Sequence, residues 1–407
     1  MSIRCGTSFV CIWNTFCDEP EQRPEGPRPL RSAIEVNRLE LVLRDMLRRN
    51  EITKEERKVI QLCIQKLKEL VRQLGEFWEL HAIGSAATGF SATSGDLDVT
   101  CFHSSVGMQD SVLATRELKM KLMPLVRMEP SVELIEESWN QQIPSLKLRF
   151  AGCLNVDLSC HNVDGLQNTL FLKAYSNMSP LVKQLVVCIK LWAKGSQLCG
   201  ALSHHLSSYA FSLMVIFFLQ VHPNWRLPVL PTMGFGPDWV LDDVKTTKWT
   251  PPVNFVNCLS QMICDFFSFY AVDYAWAEEV MSVRLGRRAF AREPSFRALA
   301  GVTARRLHIE DPFLIDRNLN CTLGYEQEAL LKVQFFSTYT ALQNGQIPSV
   351  FLSAQTKGPG KSAPRPPPPP LHEPGALRNE PGAQNMIFLT PEGPQATEVP
   401  KPSFLKS

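Results

Sequence analysis

Near the start of the chain, apolar residues recur at helical spacing. Val36, Leu39, Leu43 and Leu47 share one helix face, and Val59, Cys63 and Leu67 share another. Positions three and four apart stack on an α-helix, so the pattern predicts helices over roughly 33–75. Between about 77 and 160 the period shortens to two. Leu146, Leu148 and Phe150 alternate with Lys147 and Arg149, while Leu154, Val156 and Leu158 alternate with Asn155, Asp157 and Ser159. Each run reads as a half-buried strand, and together they predict a hairpin. A helix is expected near 108–125. Helical periods return from about 165 to 345, among them Leu181–Lys194 and the apolar run Tyr209–Val221. After Ser353 the period is lost, and Pro366–Pro370 forms a polyproline II tract.

These shifts divide the chain. Residues 1–30 read as a disordered, Pro-rich end. Residues 31–165 hold two N-terminal helices and the strands, 166–350 are helical, and 351–407 form a Pro-rich disordered tail. The fold class is α+β, a mixed β-sheet with helices joined to a mostly helical domain.

Composition narrows the picture little. The formal net charge of +2 neither suggests nor excludes nucleic acid. Twelve cysteines show no Cys-x-x-Cys pair, which fits free thiols in a reducing, intracellular compartment, the cytoplasm first. Tyr209–Val221 is too short to cross a bilayer, so no membrane role is expected. Asp18, Glu19 and Glu21 disfavour a mitochondrial transit peptide, and the apolar patch Val10–Trp13 is short for a signal peptide. Nuclear and mitochondrial locations stay open.

The chemistry concentrates in residues 82–99. An apolar strand runs into Gly84-Ser85, and a second strand carries Asp96 and Asp98. Carboxylates two apart on a strand point the same way and repel unless a cation lies between them. Such hard oxygen donors suit Mg²⁺ or Mn²⁺. A Gly-Ser turn at a helix start offers backbone N–H groups to phosphate. Metal and phosphate together point to phosphoryl or nucleotidyl transfer. Gly-Ser followed eleven residues later by Asp-Leu-Asp resembles the signature of the DNA polymerase β-like nucleotidyltransferases. That reading needs a third acid on a neighbouring strand, and Asp157 on the polar face of its run supplies it. All three carboxylates would hold one metal, which activates an acceptor 3′-hydroxyl. Asp96 and Asp98 would hold a second, which binds the triphosphate.

Further motifs follow in order: Asn162, Asn168-Thr169-Leu170, the helix with Lys190, Trp192 and Lys194, Leu206-Ser207-Ser208-Tyr209, and Ile309-Glu310-Asp311-Pro312-Phe313. Over roughly 35–345 the chain resembles the noncanonical poly(A) polymerases and terminal uridylyltransferases. The resemblance implies a nucleotidyltransferase palm joined to a PAP-associated domain. It also implies nucleotide contacts at Gly84, Ser85 and Thr169. Ser85 would touch the triphosphate, and Asn168 would contact the ribose hydroxyls. Lys190, Lys194 and Ser208 would hold the β and γ phosphates, and Tyr209 would stack on the base. Phe266–Tyr270 and Ser282–Gly286 resemble the region preceding the base-recognition loop.

The chain departs from the pattern at the base. Uridylyltransferases of the family commonly carry a histidine where Arg317 stands, and Leu314 replaces a frequent acid, while Asp311 is retained. An Arg317 turned outward toward Asp311 or Asp316 leaves stacking to favour the purine. The expected reaction is therefore AMP addition from NTP to an RNA 3′ end, with UMP addition as the alternative. Synthesis of oligonucleotide messengers and an inactive RNA-binding adaptor are the remaining readings. No RNA-binding module is recognisable, so a partner protein is expected to assist. Arginines between 284 and 306 are candidates for phosphate contacts.

Overall fold

Thr53 begins the second helix among the described residues. Its hydroxyl accepts the Glu56 N–H at 3.1 Å, and the Glu56 carboxylate accepts the Thr53 N–H at 2.9 Å. This reciprocal cap separates α1 (Ala33–Arg49) from α2 (Lys54–Arg72). Glu56 also accepts from the Thr93 hydroxyl at 2.5 Å and the Ser94 N–H at 3.0 Å, so the same cap anchors the loop leading to the aspartates. The computed structural model describes residues 33–103, 111–139, 143–235, 247–252 and 258–352. The expectations for 1–30 and for the tail beyond Leu352 lie outside the described residues.

Five strands form one sheet: β1 (Trp78–Ile83), β2 (Leu97–His103), β3 (Val132–Ser138), β4 (Ser145–Phe150) and β5 (Leu154–Cys160). A short helix, α3 (Gly84–Thr88), follows β1. The sheet order is β1-β2-β5-β4-β3, with β2 and β5 parallel and the other pairs antiparallel. The expected β4–β5 hairpin is present, and β5 lies directly beside β2. The expected helix appears as α4 (Ser111–Glu117), a π-helical turn Leu118–Leu122 and α5 (Met123–Met128). Pro124 has no N–H to give the preceding turn, which accounts for the widened ladder there.

The helical half comprises α6 (Val163–Met178), α7 (Pro180–Gly195), α8 (Ser208–Val221), α9 (Cys258–Ser268), α10 (Tyr325–Gln343) and α11 (Ser349–Leu352). Two-residue strands β6 (Val280–Met281) and β7 (His308–Ile309) pair in parallel. Ser179 and Pro180 start α7, the serine hydroxyl accepting the Leu181 N–H at 3.3 Å.

Two main cores follow from these faces. Cys63, Leu67 and Val71 of α2 pack with Val99, Leu148 and Leu158 of the sheet and with Leu118 and Val126. The second core gathers α6 to α10 around Trp192, whose ring meets Phe211, Phe267 and Phe335 and whose N–H donates to Thr338 at 3.0 Å. Leu39, Leu43 and Met46 of α1 belong to this helical core, and Glu40 accepts the Ser260 N–H at 2.8 Å. The sequence division at 165 had grouped α1 with the strands. Ile83 and Phe90 also pack in the helical core, so both ends of α3 are seated between the sheet and the helices. Among the described residues, no helix is long and apolar enough to cross a membrane.

Candidate active site

Parallel pairing of β2 with β5 puts Asp98 level with Asp157, and antiparallel pairing puts Ile83 opposite Asp98. The strand end at Ile83 therefore delivers α3 onto the Asp98 carboxylate. Gly84 has φ +67°, and a Cβ there would overlap that carboxylate, so only glycine fits. Its N–H donates to the Thr169 hydroxyl at 2.9 Å, and that hydroxyl donates to the Gly165 carbonyl at 2.6 Å. Thr169 is buried, and its hydroxyl holds the Gly84 turn against the start of α6.

A cavity of about 650 Å³ opens over these residues. Its wall includes Gly84, Ser85, Asp98, Asp157, Asn168 and Thr169. Lys190, Ser208, Tyr209 and Arg317 complete it from the helical half. Ser207 caps α8, its hydroxyl accepting the Ala210 N–H at 3.2 Å, and both Ser207 and Ser208 line the cavity. The Tyr209 hydroxyl donates to the Asn168 carbonyl oxygen at 2.7 Å, so the Asn168 amide NH₂ is the group left to donate to a ligand.

The electrostatics reflect crowding of like charge. Burial, then Asp157 and Asp96, push the Asp98 carboxyl up to about 7, against the pull of Lys190. Burial and Asp96 raise Asp157 as well, opposed by Lys147 directly across the β4–β5 ladder. Burial lowers the Lys190 ammonium to about 8, and it donates to the Phe90 carbonyl at 2.9 Å. Two half-buried carboxylates, both raised by burial and by neighbouring acids, are a donor set that a hard divalent cation would relieve.

The structure departs from the sequence reading at several positions. Asp96 precedes β2, is exposed, and accepts from the Asn155 amide at 3.2 Å. Among the described residues, no three His, Cys, Asp or Glu side chains converge as metal ligands. Asp96 is engaged by Asn155, a neighbour that the sequence could not pair with it, while staying near enough to raise both Asp98 and Asp157. Lys194 is exposed and lies outside the cavity wall, one helical turn beyond Lys190. Arg317 lies 3.9 Å from the Asp311 carboxylate, the pairing expected of it, yet it still lines the cavity. Asp311 is buried and accepts the N–H groups of Phe313 and Leu314 at 3.0 and 3.2 Å, with its second oxygen lacking a hydrogen bond among the described residues.

Sequence reasoning missed Asp164. It lines the cavity, and burial raises its carboxyl while Arg317 opposes the shift. An acid in a helix's first turn after an Asn cap is ordinary helix chemistry, so nothing in the local sequence marks it. The arginines of 284–306 are largely engaged in ion pairs. Arg284 lies 2.6 Å from Glu310, Arg287 2.6 Å from Glu293 and Arg306 3.0 Å from Glu328, and Arg288 pairs with Glu279.

The family described as "poly(A) RNA polymerase, mitochondrial-like, central palm domain" matches residues 39–177, which contain the glycine turn and all three aspartates. The family described as "Cid1 family poly A polymerase" matches 258–317, ending on Arg317. The chain belongs to the noncanonical poly(A) polymerase and terminal uridylyltransferase family. Terminal uridylyltransferase 7 of Homo sapiens is 26% identical over 287 residues, covering 67% of this chain and 19% of that protein. Poly(A) RNA polymerase GLD2 of Homo sapiens is 27% identical over 301 residues, covering 70% of this chain and 60% of that one. The alignments thus span less than two thirds of either relative. Among solved structures, a cytoplasmic RNA terminal U-transferase matches with TM-score 0.62 at 23% identity, over 78% of this chain and 98% of that one. Cid1 poly(U) polymerase bound to Mg and 3′-dATP matches with TM-score 0.63 at 23% identity, over 77% and 98%. These structural likenesses bear on the fold of this family member, a palm with a PAP-associated helical half.

Proposed function

We propose that the protein is a template-independent RNA 3′-terminal nucleotidyltransferase that adds AMP from ATP. The observation carrying this reading is the register of Asp98 with Asp157 beside the Gly84-Ser85 turn. Family membership supports the same reaction class, since the relatives are named as poly(A) polymerases and uridylyltransferases.

Asp98 and Asp157, with Asp96 swung in from Asn155, would hold Mg²⁺ or Mn²⁺. When bound, the metal supplies activation of the acceptor 3′-hydroxyl and neutralises charge on the triphosphate. The chain's own residues do the rest. Ser85, the N–H groups at the start of α3, Lys190 and Ser208 orient the phosphates. Lys190 exchanges its bond to the Phe90 carbonyl for a phosphate oxygen. The Asn168 amide donates to the ribose hydroxyls, and Tyr209 both fixes that amide and stacks on the base. Lys194, exposed one turn away, adds longer-range attraction for the phosphates.

The base reading rests on Asp164 and Arg317. Adenine offers an amino donor and an N1 acceptor, which a carboxylate and a guanidinium complement together. UMP addition is the second reading, favoured by Arg317 lining the cavity, where it can donate to uracil O4. The free thiols of the described cysteines suit a reducing compartment such as the cytoplasm. With most arginines of 284–306 engaged, a separate RNA-binding protein would supply the choice of RNA.

The test is extension of a labelled RNA oligomer with each NTP separately, in Mg²⁺ and in Mn²⁺. Extension by ATP above the others supports the assignment; no extension by any NTP refutes the reaction class.

A further inference from the structure

A second cavity, of about 710 Å³, lies on the other side of α3 from the carboxylates. Gly84, Ser85 and Thr88 face the first cavity, while Ala86 and Gly89 face the second, so this five-residue helix is the wall between them. Helix α7 is shared too: Lys190 lines the first cavity, Lys183 and Val187 the second.

The second cavity has an apolar floor including Leu47, Ile60 and Val187 and a cationic rim of Arg44, Arg48, Arg57 and Lys183. Arg44 is tied to Glu40 at 2.6 Å, and Arg48 lies 3.8 Å from Asp45. Arg57 reaches only the Ile52 carbonyl, at 3.5 Å, and neither it nor Lys183 has a carboxylate partner among the described residues. Glu51 is the one acid in the lining among the described residues. Ser91, also in the lining, has a buried hydroxyl oxygen without a hydrogen-bond partner. Pro180 brings the first turn of the 16-residue helix α7, with its positive dipole end, to the same place.

Unpaired cations, a spare hydroxyl and a helix N-terminus converge on an acceptor-rich anion. The space exceeds what one phosphate fills. Among the described residues no aromatic side chain lines it, so these offer no stacking platform of the kind single-stranded nucleic acid uses. We propose that this cavity is a second oligophosphate site, taking a di- or triphosphate group back-to-back with the carboxylate cavity. Gly84 (φ +67°) and Gly89 (φ +83°) bracket α3, so an anion held against Gly89 acts on the Ser85 turn through a helix with a glycine at each end. The inference rests on the cavity and not on the proposed reaction.

Inorganic pyrophosphate, titrated calorimetrically with Mg²⁺ at fixed ionic strength, tests it. Wild type is expected to bind two equivalents. An Arg57→Glu/Lys183→Glu double variant, both positions being exposed, is expected to bind one. Ser91→Ala should weaken the same equivalent by a few-fold, and Lys190→Ala should leave it intact. An equivalent count that is the same in wild type and in the double variant overturns the proposal, whether or not the carboxylate cavity takes pyrophosphate. So does a double variant that loses affinity only for a single-stranded RNA oligomer while binding pyrophosphate as wild type does, which would make the rim an RNA surface.

Discussion

Asp98 and Asp157 face each other in register on adjacent parallel strands, contributed by segments 59 residues apart. Burial and repulsion from neighbouring acids, Asp157 and Asp96 at Asp98 and Asp96 at Asp157, raise both carboxyls and leave a demand for positive charge at one point of the sheet.

Replacing Asp98 by Asn removes that repulsion. The variant should melt at a higher temperature than wild type in EDTA, and should lose the rise in Tm that Mg²⁺ or Mn²⁺ gives wild type. Asp98→Ala should stay folded and lose on the order of 10³-fold or more in transfer rate. Thermal melts with and without metal, beside single-turnover extension, check both. Near wild-type rates in Asp98→Ala would remove the catalytic assignment.

Gly84 tolerates no side chain. Gly84→Ala must place a Cβ on the Asp98 carboxylate and hold a positive φ, costing roughly 1–2 kcal/mol from the backbone alone. Denaturant titration should show that loss, and activity should fall further because the turn moves off the carboxylate. An active, equally stable variant would contradict the packing described.

The bond from Tyr209 to Asn168 links stacking to sugar choice. Asn168→Ala should narrow the preference for ATP over dATP, since a site built to donate to a hydroxyl penalises its absence. Tyr209→Phe keeps the ring but frees the amide, so it should narrow the same ratio less while leaving base preference unchanged. Steady-state kcat/KM for the two nucleotides decides; an unmoved ratio in both variants would take Asn168 out of the ribose site.

Base choice is expected to depend on Asp164 and Arg317 together. Asp164→Ala should reduce kcat/KM for ATP more than for UTP, and Arg317→His should raise the use of UTP. A strong wild-type preference for UTP, lost in Arg317→Ala, would instead make Arg317 a uracil contact.

Stability should fall in acid through His222. Burial lowers its imidazolium from an ordinary 6.5 to about 4, and its Nδ1 accepts the Asn224 N–H at 3.4 Å. The folded state therefore favours the neutral ring. Its contribution is complete above about 6.5 and is lost as pH falls toward 4. His222→Gln should flatten the decline in Tm across that window; an unchanged slope would assign the decline to other groups.

What the chain determined by itself was local. Period-two alternation located β4 and β5, Ser179-Pro180 started α7, and Gly84-Ser85 with Asp96, Asp98 and Asp157 marked the chemistry. These signals are legible because a side chain's face depends on its neighbours a few residues away. Partner choice across the fold is not of that kind. The seating of α1 in the helical core, the capture of Asp96 by Asn155 and the exposure of Lys194 depended on which surfaces met. So did the meeting of Asp164 with Arg317 over the cavity, two charges 153 residues apart. Each charge looked like ordinary helix or loop chemistry in sequence. Packing of α6 against the loop after β7 made them neighbours, because a carboxylate and a guanidinium interact only at the short range that tertiary structure sets.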